Sequence, residues 1–200
     1  IGMLITGMLG PALAQAQAPD SPHALVMTVD GIINSVKEGF ISRAIDQAEE
    51  DGAELVIIQL DTPGGLLSST REIVELLLES PVPVAVLVSP KGARAGSAGT
   101  FITAAANFAA MAPGTNIGAA TPVLTTGQDL GDTLASKIEN DAAALIRSIA
   151  QTRGRNQNKL EDTVRSAASY SAQEALSDNV VDLIADDLGD LLAKVNGLIA

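Results

Sequence analysis

The residues of this chain that could carry out acyl-transfer chemistry are Ser97, Lys91, Lys137 and His23. A serine hydrolase needs a nucleophile, a base that takes its proton, and donors for the oxyanion. Histidine is the usual base, but the single histidine follows Pro22 near the N-terminus, where chains are usually loosely held. Cysteine is absent, which excludes thiol nucleophiles and thiolate metal sites. The composition therefore favours a serine–lysine pair over a Ser-His-Asp triad.

Ser97 lies in the small-residue loop SPKGARAGSAGT at 89–100, between a predicted strand and an Ala-rich predicted helix. At such a junction the hydroxyl sits at a helix N-terminus, where backbone N–H groups are free to bind an anion. The alternative is that Ser97 only caps the helix. The run Gly96-Ser97-Ala98-Gly99 resembles the G-x-S-x-G nucleophile turn loosely. A second loop, DTPGG at 61–65, is either an ordinary turn or a source of an oxyanion donor, the N–H of Gly65.

A lysine acts as a base only in its neutral form, which burial among apolar groups favours. Lys91 lies six residues before Ser97, in a predicted turn. Lys137 lies on a predicted helix beside an apolar stripe formed by Leu134, Ile138, Leu145 and Ile149. The residues favour Lys137 as the base but leave open that it is an ordinary solvated helix residue.

Strands and helices alternate along the predicted domain, which favours an α/β fold with a mostly parallel sheet. Strands are predicted at 24–30, 54–60, 83–88, 109–113 and 180–185, and helices at 36–51, 68–79, 98–107, 132–153 and 187–196. Ligands of such folds bind at the carboxyl ends of the strands. Loops 61–65 and 91–100 both follow buried strands, so we expect them at the same edge of one sheet.

The composition excludes several classes of function. With 46% hydrophobic and 18% charged residues, the 200-residue chain predicts one globular domain. A net charge of −12 and 2% aromatic residues argue against nucleic-acid binding, which needs basic patches or stacking platforms. No metal-ligand cluster, P-loop or dinucleotide fingerprint occurs in the sequence. We therefore predict no metal and no cofactor.

The N-terminal segment resembles a secretory signal peptide. Residues 1–13 are uncharged and mostly apolar, and small residues at 14, 16 and 18 follow in an A-x-A pattern. Its glycines and Pro11 disfavour the alternative of a buried helix. We expect residues 1–18 to be a signal peptide without its basic n-region, and residues 19–200 to be an exported domain.

Three motifs together resemble the NfeD family of membrane-bound serine proteases, which belongs to the ClpP class and is similar to signal peptide peptidase A. They are LDTPGG at 60–65, SPKGARAGSAGTFI at 89–102 and AMAPGTNIGAATPV at 110–123. The resemblance covers about residues 24–195. It implies Ser97 as nucleophile, Lys137 as base, and the backbone N–H groups of Gly65 and Ala98 as oxyanion donors. The lysine register depends on its distance from Gly118 and on the downstream run IRSIAQTRGRN at 146–156.

The resemblance also implies a ClpP/crotonase-like spiral of β-β-α units and a homodimer or larger homo-oligomer. The implied activity is serine endopeptidase cleavage of apolar segments of membrane-associated proteins, such as stomatin-like proteins, through an acyl-enzyme. The implied location is the extracytoplasmic face of the cell membrane, with attachment through a C-terminal part absent from this chain.

Two alternatives come from other classes of function. A catalytically silent ClpP-like scaffold of a membrane protein complex would keep the fold, but its lysine would not meet the serine. A crotonase-like acyl-CoA enzyme would use the same architecture. Export argues against that enzyme, because CoA is a cytoplasmic cofactor.

Overall fold

A computed structural model describes residues 22–123 and 131–196, so the predicted signal peptide lies outside the described residues. The strands are β1 (Ala24–Asp30), β2 (Leu55–Asp61), β3 (Val84–Val88), β4 (Arg94–Gly96), β5 (Phe108–Met111), β6 (Asn116–Gly118), β7 (Ser169–Ser171) and β8 (Leu183–Ile184). The helices are α1 (Ser35–Asp51), α2 (Leu67–Glu79), α3 (Ala98–Ala105), α4 (Asp132–Thr152), α5 (Gln157–Arg165), α6 (Ala172–Ser177) and α7 (Leu188–Val195).

Five parallel strands form the main sheet in the order β1-β2-β3-β5-β8. Its central strands are continuous apolar runs because both of their faces are buried. Val56, Ile58 and Leu60 of β2 pack with the cluster that includes side chains of α1, α2 and α3. The alternate residues Leu55 and Ile57 pack on the opposite face, against α7. The period-two alternation thus places helices on both faces of the sheet.

The chain repeats a β-β-α unit. β3 enters the main sheet, β4 enters a second sheet, and α3 follows; β5, β6 and α4 repeat the pattern. β4 and β6 pair in parallel, and β7 joins β6 antiparallel to complete the second sheet. This topology confirms the predicted ClpP/crotonase-like α/β fold with a mostly parallel sheet.

The second sheet and helix α5 were not predicted from the sequence. The three strands of the second sheet are each three residues long and consist mainly of small or polar residues. Such segments carry no hydrophobic period, and their pairing depends on contacts between distant parts of the chain.

The two predicted site loops lie at the same edge of the main sheet, as expected. Thr62 forms an isolated bridge with Ala95. The Thr62 N–H donates to the Arg94 carbonyl at 2.8 Å, and the Gly96 N–H donates to the Thr62 carbonyl at 2.9 Å. The strand-to-helix turn after β4 therefore lies directly against the loop after β2.

The apolar stripe predicted for α4 is wrong in its first half. The buried side chains of this helix are Ala142, Ala143, Ile146, Ile149 and Ala150. Leu134 is 45% exposed, because residues 131–137 pack on no other described part of the chain deeply enough to be buried.

No helix among residues 22–123 and 131–196 is both long and apolar enough to cross a bilayer.

Candidate active site

Ser97 lies in a strained turn between β4 and α3. Its φ of 49° and ψ of −109° define a backbone conformation that a non-glycine residue rarely adopts. Its side chain makes no capping hydrogen bond to α3, so the alternative that Ser97 serves as an N-cap is not supported. The turn is held through the backbone instead, because the Ser97 N–H donates to the Gly118 carbonyl at 2.9 Å. The arrangement presents a free hydroxyl at a helix N-terminus, the geometry of a nucleophile elbow.

Small residues around Ser97 allow the close packing that this turn needs. A Cβ at Gly64 would lie 2.7 Å from the Ser97 Cβ, and φ at Gly64 is +127°. A Cβ at Gly99 would lie 2.7 Å from the Thr62 Cγ2 and 3.3 Å from the Ala95 Cβ. Gly64 in the facing loop and Gly99, two residues after Ser97, are therefore required sterically. These two glycines allow the loop that loosely resembles G-x-S-x-G to form an elbow.

Two predicted oxyanion donors have free backbone N–H groups. Neither the Gly65 N–H nor the Ala98 N–H has an acceptor among the described residues. Gly65 is required for steric reasons, because a Cβ there would lie 2.0 Å from the Ile33 carbonyl oxygen. The Thr62 hydroxyl holds the adjoining turn by accepting from the Gly64 N–H at 3.0 Å. Both groups border the groove that contains Ser97, so they can bind a developing oxyanion there.

An apolar groove of about 1010 Å³ contains Ser97, Gly65 and Ala98. Most of its remaining lining is apolar and comes from α2, α3, α4 and the segment after β6; it includes Leu66, Leu67, Phe101, Pro122, Val123, Ala135 and Ile138. Glu139 is the lining residue with a charged side chain, and Arg165 pairs with it at 3.2 Å. The groove can therefore accommodate an apolar ligand next to the serine hydroxyl.

Lys137 is not brought to Ser97 in the described chain. It is exposed on α4, and it neither lines the groove nor makes an ion pair or hydrogen bond with a described residue. Its neighbours Ala135 and Ile138 do line the groove. The structure thus places α4, which carries Lys137, beside the groove that contains Ser97, with the lysine amine itself on the solvent side.

His23 lies far from the groove. It precedes β1, whose carboxyl end lies at the edge where the site loops meet. A seven-residue strand separates the two edges by about 20 Å. Lys91 occupies an exposed turn after β3 and is not among the residues that line the groove. Neither side chain is placed to act on Ser97.

Two features of the site were missed in the sequence. Ala119, which lines the groove, has a φ of 49°, the same strained value as Ser97. Arg153 and Arg155 bind the carboxyl end of α3, and Arg155 donates to the carbonyls of Ala104 and Ala106 at 2.6 and 3.0 Å. The run TRGRN at 152–156 could have indicated such a cap, since basic side chains commonly bind helix C-termini.

Comparison with solved structures gives the same fold. The chain matches the 1510-N membrane-bound stomatin-specific protease with a TM-score of 0.83 and 38% identity, covering 88% of this chain and 86% of that one. That structure is a variant in which a serine is replaced by alanine. A variant with a lysine replaced by alanine, in complex with a substrate peptide, matches with the same score and identity over 90% and 82% of the two chains. ClpP1 from Listeria monocytogenes matches with a TM-score of 0.66 at 18% identity, over 83% of this chain and 94% of that one, which shows the shared fold.

Sequence relatives include two membrane proteins. The membrane-bound protease PH1510 of Pyrococcus horikoshii is 41% identical over 175 residues, which are 86% of this chain and 40% of that protein. The membrane protein NfeD1b of Bacillus subtilis is 33% identical over 120 residues, which are 60% of this chain and 26% of that protein. The chain thus spans less than half the length of both relatives. The model of the NfeD1b N-terminal domain matches residues 24–195, and the chain belongs to this family.

Proposed function

We propose that this chain is the protease domain of a membrane-associated serine endopeptidase that cleaves apolar polypeptide segments. The observation that carries the proposal is the elbow at Ser97, whose unbonded hydroxyl faces an apolar groove bordered by the free N–H groups of Gly65 and Ala98. A strained nucleophile, two preorganised donors and an apolar binding surface are the parts that acyl transfer to a peptide carbonyl requires.

In the proposed reaction the Ser97 hydroxyl loses its proton to the base and its oxygen attacks the scissile carbonyl. The N–H groups of Gly65 and Ala98 bind the oxyanion of the tetrahedral intermediate. The base then gives its proton to the leaving amine as the C–N bond breaks, which leaves an acyl-enzyme. Water, deprotonated by the same base, hydrolyses the ester and restores the serine.

Lys137 is the proposed base, and its exposure sets a condition. A lysine accepts a proton only in its neutral form, which desolvation favours, so the amine must approach Ser97 and lose its water before it can act as the base. The Lys137 side chain is exposed and makes no ion pair or hydrogen bond with a described residue, so it can turn toward Ser97 while α4 stays in place. We propose that apolar substrate, or a second copy of the chain in a homo-oligomer, covers α4 around Lys137.

The relatives support the substrate class and the setting. The 1510-N protease is stomatin-specific and has been bound to a substrate peptide, and PH1510 is membrane-bound. We propose that this chain likewise acts on a stomatin-like membrane protein. Its proposed location is the extracytoplasmic face of the membrane, with residues 1–18 as signal peptide and attachment through a further C-terminal part.

A fluorophosphonate probe tests the proposal directly. This reagent phosphonylates activated serines, so the purified folded chain should become labelled, and peptide mapping should locate the label on Ser97. Labelling at another serine, or none under conditions in which an apolar peptide is cleaved, would contradict the assignment.

A catalytically silent scaffold is the second candidate function. The exposed position of Lys137, which lines no part of the groove, favours it. A scaffold would bind an apolar segment but would show neither fluorophosphonate labelling nor cleavage, whether free or bound to its membrane partner.

Gly64→Ala should reduce the rate of fluorophosphonate labelling by roughly 10²-fold, because an added Cβ would lie 2.7 Å from the Ser97 Cβ and displace the nucleophile. Gly114→Ala is the matched control. It also introduces a side chain at positive φ, +80°, but meets no atom within 4 Å. Both variants carry backbone strain, so equal losses in labelling would show that displacement of Ser97 is not the cause.

Activity should rise with pH as the proposed lysine base loses its proton. Lys137→Arg should be inactive although the charge is kept, since guanidinium does not deprotonate in the accessible range. His23→Ala should leave the profile of kcat/KM against pH unchanged. An ascending limb near 6.5 that disappears in His23→Ala would identify a histidine base instead.

A further inference from the structure

The first half of α4, residues 132–141, is held in place without buried side chains. All the buried side chains of this helix come later, from Ala142 onward. The unburied part is about 15 Å long, at 1.5 Å per residue, and it carries Lys137. Apolar packing, mainly that of the half-buried Ile138, therefore contributes little to where the proposed base lies relative to the groove.

Two arginines on neighbouring helices bind side chains of this half of α4. Arg71 of α2 forms an ion pair with Asp141. Arg165 of α5 pairs with Glu139 at 3.2 Å and donates to the Asn140 side chain at 2.9 Å. Arg165 is itself anchored on α5, where its hydrogen bond lowers the pKa of Glu161. These polar contacts connect the otherwise unpacked part of α4 to the body of the domain.

The same arginines engage the carboxylates closest to Lys137 along the helix. Asp141 lies four residues after Lys137 and therefore on the same face, the spacing at which a lysine and a carboxylate pair. Glu139 lies two residues after it. Arg71 binds Asp141, and Lys137 has no anionic partner among the described residues.

Apart from the two arginines, the neighbouring helices carry Glu72, Glu75 and Glu79 on α2 and Lys159 and Asp162 on α5. Asp132 begins α4, and Glu161 of α5 is paired with Arg147 and Arg165. Helix α3, which also packs against α4, has no charged side chain. A free carboxylate beside an ammonium stabilises its protonated form. Release of Asp141 from Arg71 would therefore favour the charged form of Lys137, which cannot accept a proton.

We propose that Arg71 is a positioning residue for Lys137, with Arg165 as its counterpart on the other side of α4. Arg71 fixes the position of the first half of α4, which carries the proposed base, relative to the groove. It also keeps Asp141 from pairing with Lys137. The inference rests on the proposed function, because it gives Lys137 the role of base.

Three variants separate the two effects: Arg71→Ala, Asp141→Asn and the double variant. All three lose the ion pair, so kcat for an apolar peptide should fall on the order of tenfold while KM changes less. Only Arg71→Ala leaves a free carboxylate at 141. In that variant the ascending limb of the profile of kcat/KM against pH should shift to higher pH by about 0.3 unit. This is the size expected for one new ion pair at this spacing. The double variant should return the limb to its original position, and Arg71→Lys should recover part of kcat.

Lys194→Ala is the matched control, because it removes a surface ion pair with Asp190 on the distant helix α7. It should change neither kcat nor the limb. An unchanged kcat and limb in Arg71→Ala, or an equal upward shift in Asp141→Asn, would overturn the proposal.

Amide hydrogen exchange tests the positioning without an activity assay. Exchange of residues 132–141 should be faster in Arg71→Ala than in the wild type and unchanged in Lys194→Ala. Equal exchange in all three proteins would refute the positioning role even if no protease activity is found. A wild-type protein that is not labelled at Ser97 would instead refute the proposed function, so the two failures are distinguishable.

Discussion

Ser97→Ala is expected to reduce hydrolysis of an apolar peptide to background and to abolish fluorophosphonate labelling. The hydroxyl is the only atom lost, and it makes no hydrogen bond to a described residue. The free energy of unfolding should therefore change by no more than about 0.5 kcal/mol, as for substitutions away from packed or bonded groups. Thermal unfolding of both proteins checks this, so that a lost activity can be assigned to lost chemistry.

Lys137→Ala should lower kcat/KM by about 10²- to 10⁴-fold, the usual contribution of a general base. If the serine and the lysine act as one unit, the double variant should be hardly worse than Ser97→Ala alone. If Ser97→Ala retains a measurable residual activity, and Lys137→Ala lowers that residual activity by the same factor as it lowers the activity of the wild type, Lys137 acts in some other way than as the base for Ser97.

Arg155→Met should destabilise the domain by about 3 kcal/mol, the lower end of the range for breaking a buried ion pair. The Arg155 side chain is 1% exposed and pairs with Asp182, which is 31% exposed. Its loss leaves that carboxylate unpaired, and it removes the donors to the Ala104 and Ala106 carbonyls. For a domain of this size the melting temperature should fall by about 6–12 °C.

Arg147→Met is the control for the loss of an arginine. Arg147 is 39% exposed, and its partner Glu161 remains paired with Arg165 after the substitution. The expected cost is below about 1 kcal/mol, as for exposed ion pairs. Equal melting temperatures for the two variants would show that the contacts of Arg155 at the end of α3 contribute little to stability.

Arg155 also links stability to the site. It binds the last carbonyls of α3, whose first residues form the Ser97 elbow and the proposed oxyanion donor Ala98. If Arg155→Met partly unfolds the domain, fluorophosphonate labelling should therefore fall to the same extent as the native structure around α3.

The sequence by itself determined the main sheet, the helices that cover it and the elements that carry the candidate site. Apolar runs such as 54–60 are long enough to mark a buried strand without knowledge of their neighbours. Small residues around Ser97 and Gly65 indicated close backbone approaches, because larger side chains could not be accommodated there. These are local signals, and they require no information from distant parts of the chain.

Tertiary structure alone decided the second sheet, the strained elbow and the position of Lys137. The three-residue strands β4, β6 and β7 pair residues far apart in sequence, so no local period reveals them. Ser97, with its φ of 49°, packs against Gly64 and donates a hydrogen bond to Gly118, and both of these residues come from other segments. The stripe of Leu134 and Ile138 predicts a buried helix face, yet burial depends on how far other elements cover that face. In the described chain Leu134 is 45% exposed and no side chain of residues 132–141 is fully buried. Hydrophobic periodicity specifies which face of a helix is apolar, whereas only the packed neighbours determine whether that face, and a lysine beside it, is removed from water.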